Sequence, residues 1–121
     1  MKKVLIVDDS QSLRQQVAQT LEEAGFHVVQ AQDGVQGLAR LAEHEDASLI
    51  LLDVNMPAMG GMEMLDRLAQ ATGQPRVPVL MLTTEAERSL IARAKAAGAK
   101  GWLIKPIKSE LLVSAVSKVC R

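Results

Sequence analysis

Leu49-Ile50-Leu51-Leu52-Asp53 is a run of aliphatic residues closed at once by a carboxylate. An unbroken apolar run of this length reads as a strand covered on both faces. The same figure recurs along the chain: Val4 to Val7 runs into Asp8 and Asp9, Val79 to Leu82 into Thr83, and Trp102 to Ile104 into Lys105. Parallel strands of one open α/β sheet share an edge at their carboxyl ends, and ligands of such sheets bind in the crevice outside that edge. Three carboxylates, a hydroxyl and an ammonium would then converge there, a set suited to phosphate chemistry.

Helix signals alternate with these strands, as βαβ units require. After the first strand, Asp9 or Ser10 can cap a helix whose Leu13, Val17 and Leu21 share a face and which Gly25 stops. His27 to Ala31 is a second strand, and Asp33-Gly34 turns into a helix with Val35, Leu38, Leu41 and Ala42 inward. Ser48 to Asp53, the most apolar strand, belongs at the centre of the sheet. Met56-Pro57-Ala58-Met59-Gly60-Gly61 is too rich in Pro and Gly for regular structure and forms a loop, ahead of a helix with Met62, Leu65, Leu68 and Ala69 on one face. Ala71 to Pro78 connects to the fourth strand. Glu85 to Ala97 is a helix with Leu90, Ile91 and Ala94 as its apolar stripe, closed by Gly98. Gly101 to Ile104 is the last strand. Lys105-Pro106 breaks the chain before a helix capped by Ser109, with Leu112, Ala115, Val116 and Val119 inward, that runs to Arg121.

The length of 121 residues fits one domain over residues 1–121, large enough to bury a core without staples. No stretch approaches the about 20 apolar residues of a membrane helix. The segment after Met1-Lys2-Lys3 stops at Asp8, too short for a signal peptide, so a cytoplasmic home is expected. With 14 basic and 14 acidic residues there is no electrostatic case for nucleic acid. Cys120, the lone cysteine, reads as an unreactive helix-end residue. His27 and His44 have no paired ligand at zinc spacing.

Each strand-end residue has a plain structural reading: Asp9 as a helix cap, Thr83 as a strand residue, Lys105 as a turn residue. Asp8 beside Asp9 resists it, because adjacent carboxylates repel unless a cation neutralises them. Asp53 closes a strand that should be buried, and an unpaired buried carboxylate is costly. Lys105 can supply one charge, and Mg²⁺, usually held by one or two carboxylates, can supply more.

The motifs Val7-Asp8-Asp9-Ser10, Leu52-Asp53-Val54-Asn55-Met56-Pro57, Leu82-Thr83-Thr84-Glu85 and Gly98-Ala99-Lys100-Gly101-Trp102-Leu103-Ile104-Lys105-Pro106 together resemble a response-regulator receiver domain of the single-domain, CheY-like kind. The resemblance covers the whole chain. It implies an α/β, three-layer, doubly wound five-stranded parallel sheet in the order 2-1-3-4-5, the flavodoxin-like or CheY-like fold. It further implies a two-component phosphoryl switch. Asp53 would accept a phosphoryl group from a phosphohistidine on a sensor histidine kinase or histidine phosphotransfer protein. Asp8, Asp9, Asp53 and the backbone carbonyl of Asn55 would hold Mg²⁺, and Lys105 and Thr83 would hold the phosphoryl oxygens. By the same resemblance Thr83 and Trp102, where the family usually carries Tyr or Phe, would act as the switch pair. They would alter a face made by the helix after Thr83, the strand bearing Trp102 and the C-terminal helix, where a downstream target binds. Asn55 and Glu85 match positions that tune acyl-phosphate hydrolysis, Lys105-Pro106 a bond typically cis, and Gly60 stands where the family commonly has Asp, which bears on helix capping. Such a protein is a signalling switch rather than an enzyme, catalysing only its own phosphorylation and dephosphorylation, as a monomer or a phosphorylation-dependent dimer. Chemotaxis or another motility pathway is the analogy.

Other classes fit less well. A flavodoxin-like cofactor binder wants Ser, Thr and Gly after the first strand, where Asp8-Asp9 would repel an anion. An aspartyl phosphatase wants Asp-x-Asp and a cap over the site. A receiver cut from a longer regulator is a further alternative, against which Met1 and the lack of a linker favour a free-standing chain.

Overall fold

The computed structural model describes residues 2–70, 73 and 75–120. The expected connection through Ala71, Thr72 and Gln74 and the helix end at Arg121 lie outside the described residues. Strands β1 (Lys3–Val7), β2 (His27–Ala31), β3 (Ala47–Asp53), β4 (Val79–Thr83) and β5 (Gly101–Ile104) form one sheet. Its order is β2-β1-β3-β4-β5, with every pairing parallel. The helices are α1 (Gln11–Glu23), α2 (Gly34–Glu43), α3 (Gly61–Ala69), α4 (Ile91–Ala96) and α5 (Ser109–Val119). The most apolar strand is indeed central.

Alternation along the strands divides the core in two. Leu5, Val7, Ile50 and Leu52 face α2, α3 and α4, where Met62, Met64, Leu65 and Ala94 are buried. Val4, Ile6, Leu49 and Leu51 face α1 and α5, meeting Val17, Leu21, Leu112 and Val116. Both faces of β1 and β3 are therefore dry, which is why these strands read as continuous apolar runs.

Several local expectations are refined. Ser10, not Asp9, caps α1, its side chain accepting from the Leu13 N–H at 3.2 Å. Gly25 turns the chain out of α1 at φ 96, a left-handed value that favours glycine. In α2 Val35 points to solvent at 55% exposure and Ala42 is exposed; Gly34 and Gly37 are buried in their place. The reason is closeness: a Cβ on Gly34 would sit 2.7 Å from the Met59 side chain, and one on Gly37 2.9 Å from Met64 Sδ. The segment after β4 is not one helix. Glu85–Leu90 is a 3₁₀ turn that leads into α4. Ser109 is the first residue of α5 rather than its cap, a place taken by Lys108 with no side-chain bond. Gly60 caps α3 without a side-chain bond, as its lack of a carboxylate requires. Cys120 is buried, and burial pushes its thiol up from the ordinary range.

Candidate functional site

The parallel register decides which side chains meet. Val7 pairs with Leu52, so Asp8 leaves β1 beside Asp53 at the end of β3. Asp53 pairs with Leu82, which puts Thr83 one step on at the same edge. Thr83 pairs with Ile104, and the Lys105 N–H donates to the Thr83 carbonyl at 2.7 Å. Four strand ends are thus brought to one place by backbone pairing alone.

Asp8 and Asp53 are 0% and 3% exposed, whereas Asp9 faces solvent. One oxygen from each of the three carboxylates lies within 4.8 Å of the others. Lys105 Nζ donates to Asp53 Oδ1 at 2.8 Å and forms an ion pair with Asp8 Oδ2 at 3.0 Å. The second contact is close enough for charge but off-line for a hydrogen bond, so Asp8 Oδ2 is buried without a donor. Asp8 Oδ1 accepts from the Ser10 N–H at 2.8 Å. Behind it, Arg14 Nη1 donates to the Asp8 carbonyl at 2.6 Å and Arg14 Nε to Gln30 Oε1 at 3.2 Å, which holds the end of β1 in place.

One cation among three acids leaves the pocket short of positive charge. Burial pushes the Asp53 carboxyl up to about 6; the Lys105 hydrogen bond opposes this, and the Asp8 charge adds to it. Burial works to lower Lys105, but its hydrogen bond to Asp53 and the attraction of the Asp8 carboxylate outweigh that and hold it above the ordinary lysine value. Thr83 is 1% exposed, and its hydroxyl has no partner. A buried polar atom left in this way costs free energy unless a ligand satisfies it.

The carboxylates fit a hard divalent cation on chemical grounds: all are oxygen donors, and one buried oxygen has no donor of its own. Asn55 follows in the loop after β3. That loop is pinned by the Gly61 N–H donating to the Val54 carbonyl at 2.9 Å. Its side chain turns to Glu87, Nδ2 donating to Oε2 at 2.5 Å. Glu85 instead pairs with Arg88 at 3.4 Å on the surface. The Lys105–Pro106 bond is cis. Trp102 stands outward at 36% exposure with Lys95 Nζ 4.5 Å from its ring centroid.

Asp8, Asp9 and Asp53 bring carboxylate oxygens within 4.8 Å of one another, Lys105 contacts Asp8 and Asp53, and Thr83 shares their edge. Trp102 lies back along β5, paired in register with Met81. Glu87 is the residue that sequence reading missed. Its signal was present as Thr84-x-x-Glu87, the pattern of a helix-opening capping box, and the Thr84 N–H does donate to Glu87 Oε1 at 2.8 Å. Arg14 left no comparable mark, being one polar residue in a polar stretch.

Comparison with known proteins gives a consistent result. The family model for the response regulator receiver domain matches residues 4–117. The chemotaxis protein CheY1 of Helicobacter pylori is 30% identical over 111 residues, covering 91% of this chain and 90% of its own. The chemotaxis protein CheY homolog of Campylobacter jejuni is 30% identical over 118 residues, covering 97% and 91%. The crystallised chemotaxis protein CheY4 of Vibrio cholerae is 42% identical, with a TM-score of 0.89 and 98% of both chains covered.

Proposed function

The chain belongs to the response-regulator receiver family, and on that premise we propose that it is a phosphorylation-dependent switch of a two-component system. Asp53 accepts a phosphoryl group from a phosphohistidine on a sensor kinase or phosphotransfer protein. A carboxylate oxygen of Asp53 bonds to phosphorus as the phosphorus–nitrogen bond breaks, its electron pair returning to the imidazole. The single observation that carries this reading is the placement, at one sheet edge, of the buried carboxylate of Asp53 and the buried, unpartnered hydroxyl of Thr83.

Phosphoryl transfer is governed by positioning and charge. Lys105, already 2.8 Å from Asp53 Oδ1, stays beside the group as it arrives and balances its charge. Thr83 donates its hydroxyl to a phosphoryl oxygen and so gains the partner it lacks. Asp8 and Asp9, with Asp53 and the Asn55 carbonyl, are the residues to hold Mg²⁺. When bound, that ion neutralises the acids and the transferred oxygens so that an anion can approach.

The output face in this proposal is α4, β5 and α5, where Trp102 and the 58%-exposed Leu111 offer apolar contact to a target. Movement of Thr83 toward the phosphoryl group frees space at the end of β4, and Trp102 follows it inward. Among the described residues no helix is long and apolar enough to cross a membrane. A cytoplasmic place and a role in chemotaxis belong to the same proposal, the latter supported by what the CheY relatives are named for.

Intact mass after incubation with Mg²⁺ and acetyl phosphate tests the reading. One phosphoryl adduct is expected, lost in Asp53→Asn and in chelator. No adduct in the wild-type protein would leave a receiver fold without receiver chemistry.

A further inference from the structure

Glu87 holds two parts of the site at once. Its Oε2 accepts from Asn55 Nδ2 at 2.5 Å and its Oε1 from the Thr84 N–H at 2.8 Å. Asn55 stands two residues beyond Asp53, and Thr84 directly follows Thr83, whose hydroxyl has no partner. One carboxylate therefore ties the loop leaving β3 to the segment leaving β4. Both of its oxygens are engaged, one on each side.

The chemistry of the pair fixes an orientation. An ionised carboxylate only accepts hydrogen bonds, so the Asn55 amide must turn its nitrogen to Glu87 and keep Oδ1 as an acceptor. We propose that Glu87 is a positioning residue for hydrolysis of the acyl phosphate: by fixing the Asn55 amide it presents Oδ1 to the water that attacks the phosphoryl group on Asp53. This rests on the phosphoryl-switch reading above. In the step, the water oxygen bonds to phosphorus as the bond from phosphorus to the Asp53 oxygen breaks. The electron pair of that bond returns to the Asp53 carboxylate, and both water protons leave with the inorganic phosphate. Asn55 Oδ1 accepts a hydrogen bond from the water and sets its approach, while Glu87 acts through Asn55 without touching the water.

The test loads wild type, Glu87→Ala, Glu87→Gln, Asn55→Ala and the Asn55→Ala/Glu87→Ala double variant from acetyl phosphate and Mg²⁺. The donor is then removed, and loss of the adduct is followed by intact mass. Decay in Glu87→Ala is expected to be about threefold to tenfold slower, the worth of one oriented hydrogen bond. Glu87→Gln, whose amide has one acceptor for two donors, falls between and serves if the alanine variant does not fold. In the Asn55→Ala background the Glu87→Ala change adds no further slowing, a coupling that a purely structural role would not produce. Unchanged or faster decay in the Glu87 variants, equal slowing with and without Asn55, or a larger effect from Glu85→Gln than from Glu87→Gln overturns the assignment. A wild-type protein that takes up no phosphoryl group overturns the switch reading itself, and this inference with it.

Discussion

Asp53 has an ordinary carboxyl value of 3.8 when the chain is unfolded and about 6 when folded. Between those values the folded chain holds a proton that the unfolded chain has released, so stability falls as pH rises through this window. The contribution is fully present below about 3.8 and lost above about 6. Asp53→Asn removes the ionised group, so the metal-free variant is expected to be more stable than wild type at pH 7, by about 1 to 3 kcal/mol. The gap should narrow as pH falls below about 6 and close only toward 3.8. Urea denaturation of both proteins in chelator at several pH values checks it, and a variant less stable than wild type at pH 7 would show that Lys105 fully compensates the buried charge. The acids, Thr83 and Lys105 could be named from sequence because each follows an apolar run, and burial of the run dictates where its end lies. Glu87 could not be assigned that way. It lies on an irregular turn, and its role depends on a contact with Asn55 made across two loops.

The elements show where local pattern and packing part company. Val35 in α2 obeys helical spacing yet faces solvent, because the buried surface of that helix is made by Gly34 and Gly37 lying close against Met59 and Met64. Hydrophobicity counts side chains, and it is blind to a face that packs by having none. At the start of α3 the same closeness reaches the site. A Cβ on Gly61 would stand 2.0 Å from the Asp53 carbonyl oxygen, an overlap that only backbone movement relieves. Gly61→Ala is expected to lower stability by about 2 kcal/mol or more, as strain at a packed position does. It should also slow adduct formation by displacing Asp53; thermal melts and intact mass would show both, and a wild-type rate in a stable variant would refute the link. On the opposite flank, Lys95 of α4 lies over the Trp102 ring. A cation–π contact at an exposed site is worth about 0.5 to 1 kcal/mol. Lys95→Met keeps the stem and removes the charge, so the outward-to-inward ratio of Trp102 should fall roughly twofold to fivefold, by the same contact energy. Trp102 is the lone tryptophan, and weaker quenching of its emission by acrylamide reports the change. Quenching equal to wild type would mean that the ring is held by its other neighbours.

For the whole molecule, the sheet order was legible through the family resemblance and the pooling of strand ends through the apolar runs alone. The tighter first turn before α4 was not legible, since Glu85 to Ala97 carries one continuous helical stripe. Only the folded chain gathers the three acids at the sheet edge, where they could hold a divalent cation; an unfolded chain scatters them. Binding to the folded form alone stabilises by about 2.7 kcal/mol at a hundredfold excess over the dissociation constant. Mg²⁺ is therefore expected to raise the melting temperature by several degrees, with the rise lost in chelator and reduced in Asp53→Asn. A melting temperature indifferent to Mg²⁺ would remove the metal from the account. β5 is an edge strand of four residues, paired on one side only, yet Lys105 at its end is fastened to Asp53 of β3 and to Asp8 past β1, over the end of β4. The lysine is a staple from the rim of the sheet to its middle. The amides of Trp102 to Ile104 should accordingly exchange with deuterium at a rate set by what Asp53 carries, making the shortest strand the one that registers the state of a carboxylate two strands away.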